Sequence, residues 1–209
     1  MKPENIIITV LLVALSLLLI FQPFKESAPR EKKQPFIDDL SELFPSKETT
    51  QIFKQGIKKY EVKVNNIVTA ANYKSVDTVY DVKEEDGTKT IYTTYIIEDN
   101  KVIKTDRHMK NGDIIEYTNP TEIIVGLPEE NMTWTNEGTL TTYKVTDISN
   151  NQVTIESIRN IDVSTEEQEE PIQKEYKEKM VFEKGKGMIF FRSEVVDYPN
   201  SVYEIKLVK

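Results

Sequence analysis

No cysteine occurs among the 209 residues. That absence excludes disulfides, thiolate zinc sites, a cysteine nucleophile and attachment of lipid to an N-terminal cysteine, so an exported form of the chain must hold together by packing alone. Histidine is almost as scarce. The single His108 stands in TDRHMKNG, near Arg107 and Lys110. It has no second imidazole with which to share a metal, and its cationic neighbours make it a poor general base, so it reads as a solvated strand-end residue. With seven glycines there is no G-x-G-x-x-G and no G-x-x-x-x-G-K-[ST] loop, and GKG at Gly185 reads as a hairpin turn. The G-x-S-x-G elbow and the S-x-x-K set of serine enzymes are also missing. These absences leave pairs of carboxylates as the remaining catalytic equipment, and no cofactor or metal is expected.

What is plentiful is charge, with an acidic excess. Lys and Arg number 27 against 35 Asp and Glu, a net charge of −8. Such a chain repels nucleic acid and anionic surfaces unless a local basic cluster overrides the mean. The densest basic runs, REKKQ at Arg30 and EKGKG at Lys184, are short and mixed with Glu, so no nucleic-acid partner is expected. Apolar residues make up 38%, enough for one sizeable core or two small ones.

The N-terminus carries one uncharged run, Ile6–Phe21, behind Lys2. As a helix it measures about 24 Å, slightly short of a ~30 Å hydrocarbon core but within reach of a span. A cleaved signal peptide needs small residues before the cut, and the nearest candidate, ESAP, puts Glu26 in one of those places. Residues 1–24 are therefore expected to be an uncleaved signal anchor forming a transmembrane helix, and 25–34 a polar tether. Lys25, Arg30, Lys32 and Lys33 outnumber Lys2, which by the positive-inside rule argues for a cytoplasmic domain. From Pro35 the apolar residues Phe36, Ile37, Leu40, Leu43 and Phe44 recur at helical steps, predicting a short amphipathic helix that plugs one end of a β core.

Beyond Thr50 the period changes to two. Strands are predicted from Tyr60, Thr78, Thr90, Lys101 and Asp113, and again from Leu140, Gln152, Glu178, Gly187 and Val202. Turn signals separate them: Asp86-Gly87, Asp99-Asn100, Asn111-Gly112, Asn150-Asn151, Gly185–Gly187 and Pro199-Asn200. The acidic run from Ser164 reads as a solvated loop, since calcium loops need Asp or Asn at alternating positions around a glycine. The expected fold of residues 35–209 is thus mainly β, two consecutive antiparallel meanders forming curved sheets or a partly open barrel, with one or two short helices. Phe53, Gly56, Tyr60 and Val62 correspond to Trp134, Gly138, Tyr143 and Val145, which suggests an internal repeat of 44–119 and 127–209.

The elements LFP at Leu43, WTNEG at Trp134 and KEYKEKMVFEKGKGMIFFRSE from Lys174 resemble the pattern of a group of secreted β-sheet lipoproteins of Gram-positive bacteria, over roughly residues 40–196. In that group a proline-led segment with Trp and Gly opens each β unit and a glycine-spaced strand pair closes the domain. The resemblance implies export to the cell envelope, against the charge rule, and implies no catalytic residue. The chain departs from the group in lacking the lipidated cysteine.

The expected function is that of a membrane-anchored, extracytoplasmic, non-enzymatic β protein that binds a partner or ligand. A carrier of a lipid-like apolar ligand on a curved sheet is the alternative, with Trp134, Phe182, Phe190 and Phe191 as the candidate surface. Third comes a carboxylate-based glycoside hydrolase, for which Glu116, Glu156 and Glu194 lie on predicted strands.

Overall fold

The computed structural model describes residues 36–84, 87–149, 151–164 and 171–208. The apolar run Ile6–Phe21, the tether, Asp86, Asn150 and most of the acidic run lie outside these residues.

Alternating and β-branched sequence gives strands throughout. The first half supplies β1 (Thr49–Gln55), β2 (Lys58–Ala70), β3 (Tyr73–Glu84), β4 (Gly87–Glu98), β5 (Lys101–Lys110), β6 (Asp113–Tyr117) and β7 (Thr121–Val125). The second supplies β8 (Thr133–Asn136), β9 (Thr141–Ser149), β10 (Gln152–Asp162), β11 (Gln173–Glu183), β12 (Gly187–Val195) and β13 (Tyr203–Leu207). Asp99 and Asn100 both adopt positive φ, as do Asn111 and Gly112, so these tight hairpins have the backbone their residues favour.

The halves form one antiparallel sheet of 13 strands rather than separate sheets, in the order β6-β5-β4-β3-β2-β1-β13-β12-β11-β10-β9-β8. They meet where Phe53 and Lys54 of β1 lie opposite Leu207 and Lys206 of β13. β7 adds to the same side of β5 as β6, farther along that strand. The sheet does not close, since β6 and β8 end the path.

One face of this sheet holds the core. Val64, Val76, Tyr95, Ile97 and Val102 from the first half share a buried cluster with Tyr143, Val145, Val153, Ile155 and Phe182 from the second. Residues so far apart along the strand order meet only if the sheet curls around them. The expected helix after Pro35 is reduced to a 3-10 turn, Leu40–Leu43. Asp39 and Glu42 cap it reciprocally, and the chain turns extended at Phe44 ahead of Pro45, which stops any continuation. Ile37, Leu40, Leu43 and Phe44 are all buried, and the Phe44 ring packs 5.1 Å from Tyr95 and 5.9 Å from Phe182. This short segment therefore stoppers one end of the curled sheet, where the β2–β3, β4–β5 and β11–β12 turns also lie.

Candidate functional site

Away from that stopper the inner face changes character, from Val and Ile to Tyr and charged residues. The period-two alternation of each strand fixes which side chains point inward: 60, 62 and 64 on β2, 76, 78 and 80 on β3, 102, 104, 106 and 108 on β5. Two adjoining cavities open there. One, about 150 Å³, is lined chiefly by Phe53, Tyr60, Tyr80, Ile91, Tyr203 and Ile205. The other, about 290 Å³, lies among Thr141, Tyr143, Arg159, Glu178 and Met180. Both share Lys104, Asp106 and Phe191.

The polar groups here are tied into small networks. Asp106 accepts from Thr93 Oγ1 at 2.6 Å and from Lys104 Nζ at 2.6 Å, and its backbone N–H donates to Thr118 Oγ1. Glu178 accepts from Ser157 Oγ at 3.0 Å and from the Tyr176 hydroxyl at 3.2 Å. Arg159 lies opposite Tyr176 on the neighbouring strand with its guanidinium 5.0 Å from the ring centroid. Among the described residues it has neither an ion pair nor a hydrogen-bonded side-chain acceptor. Burial pushes the phenols of Tyr80 and Tyr95 far above their ordinary range, and that of Tyr143 up to about 12. These hydroxyls stay protonated and add hydrogen-bonding groups to a face that also carries Lys104, Asp106, Arg159 and Glu178.

The four aromatics singled out from sequence separate. Phe191 lines both cavities, its ring 6.1 Å from that of Tyr203. Trp134 is half-buried and stacks on Tyr143, and its buried Nε1 has no hydrogen-bond partner among the described residues. Phe182 is fully buried in the core beside Phe44, so it offers no surface to a ligand. Phe190 lies on the opposite face, across from Lys206. Of the three glutamates, Glu116 stands apart and accepts at 2.5 Å from His108 Nδ1, while Glu156, paired with Lys179, and Glu194, paired with Arg192, line one cavity of about 510 Å³. His108 is thus held rather than free in solvent.

Sequence reasoning missed Asp106, Arg159 and Glu178, the groups that converge. Their only signal was a charge at an inward position of the period-two pattern. Among the described residues no three His, Asp or Glu side chains gather as a metal site. No family model, curated protein or solved structure matches the chain.

Proposed function

We propose that the chain is an N-terminally anchored protein of the cell envelope whose β unit, outside the membrane, binds a small amphiphile without catalysis. The observation that carries this reading is a pair of adjoining cavities that share Phe191: one walled by tyrosines, Ile91 and Ile205, the other by Ile123, Tyr143, Met180 and threonines with the Arg159 guanidinium among them. An apolar cavity opening beside a polar one suits a ligand with one apolar segment and an anionic or hydrogen-bond-accepting end. The volumes favour a single chain or a compact aromatic over a diacyl lipid. Anchoring rests on Ile6–Phe21, and the outward orientation on the lipoprotein resemblance.

Hydrolysis is disfavoured by the way the two cavity carboxylates are held. Asp106 and Glu178 each accept two side-chain hydrogen bonds from neighbouring strands or residues, so their oxygens are engaged within the protein rather than aimed at a scissile bond.

The test is native mass spectrometry of the full chain extracted from its own cells, beside Phe191→Asp. A bound organic mass lost in the variant supports the reading. A glycosidase activity that Glu178→Gln removes, with no ligand retained, replaces it. Protease digestion of intact cells checks the orientation: protection of the segment beyond Lys25 would place the β unit inside.

A further inference from the structure

Like charges lie directly opposite at Lys89–Lys110 and Lys179–Arg192, where each cation has a glutamate partner, but the opposite face of the sheet holds a row that lacks such partners among the described residues. Like charges directly opposite on neighbouring strands destabilise a sheet. Yet Lys59 of β2 lies opposite Lys54 of β1, and Lys54 opposite Lys206 of β13, three lysines in one line across adjacent strands. The line continues into Phe190 of β12 and Val181 of β11. All three lysines are exposed, and among the described residues none forms an ion pair, although lysines elsewhere are paired: Lys101 with Glu122, Lys177 with Glu175, Lys179 with Glu156. The carboxylates of β1, β2 and β13 on this face are Glu61 and Glu204, the latter 3.9 Å from Arg192. In a chain of net charge −8 this is a local cationic strip with no internal explanation.

Two further features adjoin it. At the β1–β2 hairpin, next to the Lys54–Lys59 pair, Ile57 is 95% exposed, followed directly by Lys58. Beside Lys206 a groove of about 830 Å³ is lined by Phe190, Val181 and Val208 together with Lys47, Lys179 and Glu183, the last of which pairs with Lys186.

From these we infer that this face docks on an anionic phospholipid surface, with Ile57 entering the acyl boundary and the lysine row meeting phosphates. An aliphatic tip among unpaired lysines matches the two halves of that interface, apolar below and anionic above. Strand addition by an acidic peptide is disfavoured, because β1 and β13 are paired on both sides and present no free edge. The inference does not depend on the cavity or its ligand.

The missing cysteines make the experiment clean: in the full chain, Ile57→Cys creates the sole thiol, to which an environment-sensitive fluorophore is attached. The labelled chain, carried in phosphatidylcholine nanodiscs, is titrated with vesicles of phosphatidylcholine alone or mixed with phosphatidylserine. The expected result is a blue shift and salt-sensitive binding with the anionic vesicles only. Each lysine near such a surface contributes roughly five-fold in partitioning, so Lys54→Gln, Lys59→Gln and Lys206→Gln together should weaken binding on the order of 100-fold. Lys177→Gln, which removes a lysine already paired with Glu175, should leave binding unchanged. Should the triple variant misfold, Lys59→Gln alone must still lower affinity several-fold. Equal binding to both vesicle types, undiminished binding by the lysine variants, or a response to polyglutamate in place of vesicles would overturn the inference.

Discussion

Trp134 lies directly across from Tyr143 on the next strand, the rings stacked with centroids 5.4 Å apart and planes 5° from parallel. Phe53 stands in the same relation to Tyr60 in the other half, again on the first two strands of its meander. The phrase that the sequence writes twice thus places an inward aromatic opposite an inward tyrosine each time.

Trp134→Phe should keep most of the stacking while removing the indole N–H that has no acceptor, so urea denaturation should show stability within about 1 kcal/mol of the parent. Trp134→Ala should lose about 3–5 kcal/mol, as expected for a large aromatic. Equal effects of the two changes would mean that the N–H, not the ring, determines the loss.

Lys74 is 6% exposed and donates to the carbonyl oxygens of Ser41 at 2.9 Å and Phe44 at 3.0 Å, binding the stopper to β3. Lys74→Met should strip two carbonyls of their donor and cost about 2–4 kcal/mol. Hydrogen exchange should rise first around Leu43 and Phe44. A uniform rise across the sheet would assign Lys74 to global packing instead.

Alkaline pH should act through the inner face. Tyr80, Tyr95, Tyr143, Tyr176 and Tyr203 all ionise above the ordinary phenol value of 10.0, chiefly because of burial. The folded form keeps protons that the unfolded chain releases, so this stability is complete below pH 10 and is lost as pH rises above it. Lys74 opposes them, since burial lowers its pKa from 10.5 and the unfolded chain binds the proton more tightly, but it is one amine against several phenols. The urea midpoint should therefore fall above pH 10, with tyrosinate absorbance appearing as the protein unfolds. A midpoint that stays level while tyrosinate absorbance grows would show the phenols to be solvent-accessible.

Arg159→Leu should separate binding from folding. The guanidinium lies over Tyr176 without an ion pair among the described residues, so stability should change by about 1 kcal/mol or less. Retention of an anionic amphiphile should drop roughly 10-fold or more, the scale of one charge-assisted hydrogen bond. Unchanged retention would move the ligand's polar end elsewhere in the cavity.

Much of the fold was legible because its rules are local. The Asp99-Asn100 and Asn111-Gly112 hairpins and the β4 and β10 strands follow from turn chemistry and period two. β7, TEIIV, was missed because five residues after Pro120 give too short a pattern, and the stopper was drawn as a full helix because its apolar spacing does not reveal that Phe44 must leave the helix to reach Tyr95 and Phe182. The union of the halves was not legible at all, since pairing β1 with β13 joins residues far apart in sequence. Nor was the cavity: Asp106, Arg159 and Glu178 meet only after the sheet curls.

Every ladder but one joins strands that are neighbours, or nearly so, along the chain, the exception being β1 with β13. Each meander has the local connectivity to assemble rapidly. Neither can finish alone, because Phe44 of the first half covers Phe182 of the second. Until the seam forms, two partly built sheets expose apolar inner faces and bare edges, the state most prone to aggregate. The β1–β13 ladder, short as it is, is therefore the checkpoint of folding, and the lysines facing each other across it repel at the very step on which solubility depends.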